Sequence, residues 1–292
     1  MSNYSTEKQQ IGNKNDDLTA SDFESFQRSF ITSEITRAAG IFRVSDEQGA
    51  EILCRKQQAG KYYAGLVFPY RNELIGEVLE YEIRRDNPDR VNENGREKVK
   101  GKYLRANQSK SFLYFAPRTN PEHLKDVFTM LILTEGVKKA LAILNALTDN
   151  LQKPSPFLIT SISGVDNFKT AQKQRNDFGG LDTVSDVLPQ IRNINLVGRE
   201  VLIIFDPNVL ANANVYFARH RLAETLLSLG AVVYYLNLPI LKDENGESLD
   251  GIDDILGYWN RQHGREKAVE MFGELLKKRC LIRNGRRLIL GE

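Results

Sequence analysis

Between residues 127 and 262 the chain alternates short apolar runs with helical ones, and this rhythm constrains the fold more than any other feature. MLILT (130–134) is a strand of the fully buried type, and GVKKALAILNALTDN (136–150) is a strong helix. FLITSI (157–162), EVLIIFD (200–206) and AVVYYLNL (231–238) are three further strands. ANANVYFARHRLAETLLSLG (211–230) is a long helix between the last two, stopping on Gly230. Strands alternating with helices specify an α/β domain with a mostly parallel, four-stranded, βαβ-built sheet. The stretch from Ser163-Gly164 to about Ile194 is polar and without clear period, and IDDILGYWN (252–260) is a short helix. HGREKAVEMFGELLKKR (263–279) is amphipathic with a basic end, and RCLIRNGRRLIL after it suits a hairpin.

The first 126 residues have a different grain. Phe23, Phe26, Phe30, Ile31 and Ile35 fall at helical spacings over 22–38, with Ser21 or Asp22 as N-cap and Gly40 as stop. Strand-like runs follow at AEIL (50–53), YAGLVFPY (63–70) and VLEYEIRR (78–85), and DNPDRVNENGREKVKGK (86–102) is rich in turn residues. The expected organisation is a disordered tail over 1–20 and an α+β subdomain over 21–126. The α/β domain over 127–262 and a basic helix and tail over 263–292 complete it.

A net charge of only +2 hides strong segregation. Arg96 to Arg118 holds seven basic residues (Arg96, Lys98, Lys100, Lys102, Arg105, Lys110 and Arg118) against Glu97. Residues 261–292 carry nine basic and four acidic residues, whereas 242–254 carries six acids and one base. Tyr103, Phe112, Tyr114 and Phe115 interleave the first basic stretch. Cations for phosphates and flat rings for bases suit single-stranded DNA or RNA. The other reading is a solvated strand whose rings face the core.

Several function classes drop out. The longest nearly apolar run, AVVYYLNLPIL (231–241), is shorter than the roughly 20 residues of a membrane span. The N-terminal MSNYSTEKQQIGNKNDD has no apolar core, so a secretory signal is not expected, and a cytoplasmic location follows. Cys54 and Cys280, with His123, His220 and His263, are scattered, which argues against zinc and against a disulfide scaffold. No GxGxxG or P-loop occurs, so any helicase motor is expected in a separate partner.

In an open parallel sheet, functional groups collect at the carboxyl ends of the strands. Those ends carry Glu135, Gly164, Asp206 with Asn208, and the acidic GIDD at 251–254. Acids delivered to one edge from separate strands would make a hard-oxygen Mg²⁺ site. Each has a plainer use: Glu135 favours the positive end of the helix it precedes, and Asp253 suits an N-cap.

LILTEGVKKALAIL, SISGV, VLIIFDPN, RLAETLLSLGAVVYYL and DGIDDIL, in that order, resemble a Toprim-related domain of plasmid, phage and cyanobacterial replication proteins, catalogued mainly as of unknown function. Toprim is the fold of DnaG-type primases, topoisomerases and related nucleases. With AGLVFPY, YEIRRDNPD and KYLRANQSKSFLYF upstream, the likeness covers roughly residues 25–260. It implies Glu135 as general acid/base beside a metal, Asp206 as a ligand of Mg²⁺ (or Mn²⁺), and Asp253 and Asp254 as a late acidic pair. Lys138 and Lys139 match a basic pair that contacts phosphates or forms an exposed helix face. Asn208 stands where the family has a second aspartate and brings no charge, which weakens the hold on a second ion. Asp250 stands where the family has a lysine.

The expected function is a primase-like replication protein of a mobile element or plasmid, a nucleotidyltransferase making primers on single-stranded DNA. An alternative keeps fold and DNA contact but not catalysis, as an accessory to a helicase or another complex. A third reading is a Toprim nuclease with water as nucleophile.

Overall fold

A computed structural model describes residues 18–93, 95–107, 109–148, 153–175, 180–283 and 286–288. The tail expected over 1–20 lies outside them except for its last three residues. The chain divides into two units, Met1–Glu24 with Thr36–Lys110, and Ser25–Ile35 with Ser111–Glu292.

The helix expected over 22–38 is two helices, α1 (Ala20–Arg28) and α2 (Ser33–Ala38). The cap is neither Ser21 nor Asp22 but Thr19. Its hydroxyl accepts the Asp22 N–H at 3.2 Å, and the Asp22 carboxylate accepts the Thr19 N–H at 2.9 Å. This reciprocal pair satisfies two otherwise orphaned donors. The break comes at Phe30, which takes φ 60°. Ile31 N–H reaches Phe26 O at 2.9 Å and Phe30 N–H reaches Gln27 O at 3.0 Å, a helix stop usually built on glycine.

In the first unit, β1 (Phe42–Val44), α3 (Asp46–Ile52), β2 (Gly65–Arg71), β3 (Val78–Arg85), β4 (Asp89–Glu93), β5 (Arg96–Lys100) and β6 (Tyr103–Leu104) follow in order. An antiparallel sheet β1-β2-β3-β6 covers a core of Phe42, Ile52, Leu53, Tyr63, Val67, Tyr81 and Ile83. AEIL is helical, not a strand. Ser45 caps Gln48 N–H, and the Gln48 side chain accepts the Ser45 N–H at 2.9 Å, so a capping box decides the local structure. The turn-rich 86–102 segment is a paired hairpin, β4 against β5, from Asp89↔Lys100 to Glu93↔Arg96. Asn94-Gly95 between them is the strongest short hairpin signal a sequence offers.

The second unit holds β7 (Tyr114–Phe115), β8 (Leu131–Glu135), α4 (Val137–Leu147), β9 (Leu158–Ile162), β10 (Lys169–Arg175), β11 (Leu181–Val187) and α5 (Pro189–Arg192). It continues with β12 (Glu200–Ile204), α6 (Ala213–Ser228), β13 (Val232–Leu236), α7 (Ile252–His263), α8 (Arg265–Lys277), β14 (Cys280–Arg283) and β15 (Arg286–Leu288). One sheet runs β15-β14-β13-β12-β8-β9-β7. The inner strands β13, β12, β8 and β9 are mutually parallel, and β14, β15 and β7 join antiparallel. The polar 163–194 stretch contains the hairpin β10–β11. KTAQKQR has no apolar alternation to announce it.

Both faces of the parallel core are covered. Leu131, Leu133, Val201, Ile203 and Val233 cluster with Leu222, Ala223 and Leu226 of α6. On the other face α4 packs on β8 and β9 and against α7 and α8. Arg199, fully buried just before β12, donates to the carbonyls of Asn195 (2.7 Å), Thr129 (3.1 Å), His123 (2.8 Å) and Leu124 (3.1 Å). It thus ties the approach to β8 to the start of β12. α7 runs so close to the end of α1 that a Cβ on Gly257 would stand 1.8 Å from Arg28 O.

Candidate functional site

The strand order puts a switch point between β8 and β12. From β8 the chain crosses to β9 on one side, and it later returns to place β12 and then β13 on the other. Crossovers that leave in opposite directions open a crevice at the carboxyl ends of the two strands, where ligands of open α/β sheets bind. Glu135 ends β8, and Asp206 stands two residues past β12. Thr134 and Ile204 are register partners, so the two acids leave neighbouring strands about 4.8 Å apart.

Local chemistry delivers each group. Glu135 is followed by Gly136 at φ 87°, a left-handed conformation that lets the chain turn straight into α4. Gly136 N–H bonds to Ile162 O at 2.9 Å, fixing the turn to the end of β9. Asp206 opens a 3₁₀ turn, Pro207–Leu210, in which Asn208 is exposed and its carbonyl accepts the N–H groups of Ala211 and Asn212. Asp253 and Asp254 occupy the first turn of α7, where the positive helix end favours them. Asp253 is buried, Asp254 half-buried and Asp250 exposed.

Lys139 joins these elements. Its Nζ lies 2.5 Å from Asp206 Oδ1, an ion pair with only about a fifth of either side chain exposed (19% and 21%). Asp206 Oδ1 makes no well-angled hydrogen bond, so charge is what compensates it. Lys138 Nζ lies 4.0 Å from Asp253 Oδ2. The Lys139 stem passes over Gly251, the N-cap of α7, where a Cβ would stand 2.4 Å from Lys139 Cε and 2.7 Å from Asp253 Oδ1. Gly251 is extended (φ −158°), so space rather than backbone strain calls for glycine there.

Burial pushes the Glu135 carboxyl up, with Asp206 adding to the shift and Lys139 opposing it. Burial also raises Asp206 against the pull of Lys139, with Asp253 and Asp250 adding to the rise. Burial and the neighbouring Asp253 raise Asp254. For Lys139 burial works against the ammonium, yet Asp206, Asp253 and Glu135 outweigh it and hold it above the ordinary lysine range.

A magnesium ion takes one or two protein carboxylates and fills its octahedron with water and phosphate. Glu135 and Asp206 are the right donors in number and hardness. The ammonium on Asp206 stands against that use, and among the described residues no group of three His, Cys, Asp or Glu side chains could hold a metal ion. As it stands, the edge does not fit a divalent ion.

The basic residues divide between the two units. In the first, Lys98 and Lys100 are exposed on β5 and both pair with Glu93. Lys102 and Lys110 are exposed. Arg105 is committed elsewhere: its Nε lies 3.2 Å from Glu82 Oε1, and its guanidinium stacks 4.6 Å over the Tyr70 ring. Both side chains of the Arg105–Glu82 pair are largely buried (13% and 5% exposed). In the second unit Arg118 is exposed and Lys138 half-buried. The family resemblance implied that Lys139 contacts phosphates or forms an exposed helix face, and it pairs instead with Asp206. Its pairing with Asp206 had one signal, since two lysines in a helix's first turn oppose its dipole and call for nearby acids. Gly251 gave no such signal.

A family model described as a domain of unknown function (DUF3854) matches residues 123–262. The solved structure of the zinc-binding and RNA polymerase domains of the Aquifex aeolicus primase is similar in fold, with a TM-score of 0.51 at 16% identity. The match covers 90% of this chain and 57% of that one. No curated protein sequence matches. The fold is therefore mixed α/β and primase-like, and no described helix is long and apolar enough to cross a membrane.

Proposed function

We propose that this chain is a primase-like replication protein of a plasmid, phage or other mobile element, with a Toprim-type core, that binds single-stranded nucleic acid. The observation that carries the reading is the pair Glu135 and Asp206 ending neighbouring parallel strands at a switch point, in a chain whose fold is similar to a primase's. The form the geometry supports best is a nucleic-acid-binding accessory working beside a separate helicase. Lys139 neutralises Asp206, and Asn208 adds no charge to the edge.

A second form, primer synthesis with Mg²⁺ or Mn²⁺, is favoured by one observation. Glu135 ends β8 beside the strand that leads to Asp206, and burial raises its carboxyl. The full chain with a labelled single-stranded template, nucleoside triphosphates and either ion separates the two. Binding without product is expected. New oligomers would establish the second form, a shortened template a nuclease, and neither binding nor product would overturn the proposal.

The surface proposed to hold the strand is the β4–β5 hairpin with Lys102. Replacing Lys98, Lys100 and Lys102 by Ala should weaken single-strand binding and flatten its log–log salt dependence by about 0.7 for each phosphate that is no longer neutralised. Arg105 is left intact in this variant, because its removal would strand Glu82 and confuse folding with binding. Unchanged affinity and slope in a fluorescence anisotropy titration would make the hairpin ordinary surface.

A further inference from the structure

The cation at the sheet edge comes from the chain itself. Lys139 sits in the first turn of α4, a position the helix dipole disfavours, yet its side chain is largely buried and in contact with Asp206. Glu135 and Asp253 add to the negative potential around it. Its stem passes over Gly251, where a Cβ would stand 2.4 Å from Lys139 Cε, so a side chain there would push the lysine aside. A buried ammonium needs compensating charge, and Asp206 supplies it in direct contact.

We infer that Lys139 is the built-in counter-ion of this edge, its ammonium taking the place beside Asp206, at the end of the strand next to Glu135's, that a divalent ion would otherwise take. The acids are held together without a metal, and Lys139 is the residue that excludes one. This goes beyond the proposed nucleic-acid role and does not depend on it.

Removing the ammonium should open the edge to a divalent ion. Mn²⁺ titration of the full chain, followed by electron paramagnetic resonance at fixed ionic strength, should show binding at least about tenfold tighter in Lys139→Met than in the parent. Adding Asp206→Asn to that variant should abolish the gain, because the ion then loses a carboxylate. Uncompensated acids repel, so Lys139→Met alone risks failing to fold. Recovery of its melting transition with Mn²⁺, but not with Na⁺ at matched ionic strength, then reads the same gain. Lys139→Gln, which keeps length and polarity, repeats the test. A parent that binds Mn²⁺ as tightly as the variants would overturn the inference. So would variants that bind none, or a gain that survives Asp206→Asn. Single-strand affinity is measured on the unaltered protein, so failure of one conclusion is visible separately from failure of the other.

Discussion

Arg199→Met should cost about 3 kcal/mol or more of stability, lowering the melting temperature by about 10 °C. The guanidinium satisfies four carbonyls from residues 123–129 and 195, and methionine of similar length leaves buried acceptors without donors. Against a total of about 5–15 kcal/mol for a typical domain, that loss is large. Arg199→Lys should recover only part of it, since an ammonium has three donors and no planar fork to spread across diverging carbonyls. Urea unfolding of the three proteins checks the order. A methionine variant within about 1 kcal/mol of the parent would show that these carbonyls find other partners. Because Arg199 anchors the approaches to both β8 and β12, damage here should also loosen the spacing of Glu135 and Asp206.

Gly257→Ala should destabilise by about 2 kcal/mol, although alanine is the better helix former by about 1 kcal/mol. The added methyl would meet the Arg28 carbonyl at 1.8 Å, and that atom is backbone, so a helix must move. Arg261 Nη1 also bonds the same carbonyl at 3.0 Å and would be displaced with it. Gly273, inside α8, is the matched control: nothing lies within 4 Å of its Cβ position. Gly273→Ala should gain about 0.5–1 kcal/mol through helix propensity. Opposite signs at two helical glycines in thermal melts would locate the effect in the close approach to Arg28. Equal signs would mean that α7 has room to shift.

The parallel strands were legible because they are buried on both faces and read as unbroken apolar runs, as LILT and VLII do. The acids at their ends were legible for the same reason, since a carboxylate directly after such a run stands at the sheet edge. What the sequence did not carry was strand order. Nothing in FLITSI or EVLIIFD says that β12 lies beside β8 rather than β9, and the crevice depends on that choice. The β10–β11 hairpin was silent because KTAQKQR carries no apolar alternation. Phe30 misled because its hydrophobic spacing fits a helix while its backbone ends one. AEIL misled in the other direction, through four residues too few to show a period when the capping box lay just upstream. Lys139 was visible as a residue but not as a partner, because the ion pair joins α4 to the turn after β12, 67 residues on in the chain.

The strand order also has a kinetic consequence. The β2–β3 pair joins residues close in sequence, whereas Arg199 reaches a carbonyl 70 residues earlier, and β12 meets β8 over a similar span. Pairings of that separation must close a long loop before they return any stability, so they belong to the late part of folding. Glu135 and Asp206 therefore remain distant charges while the local hairpins form. They become neighbours only when β12 docks, at the same event that brings Asp206 to Lys139. In refolding experiments the acidic edge should acquire its native environment after the local hairpins, appearing together with protection of the β12 amides.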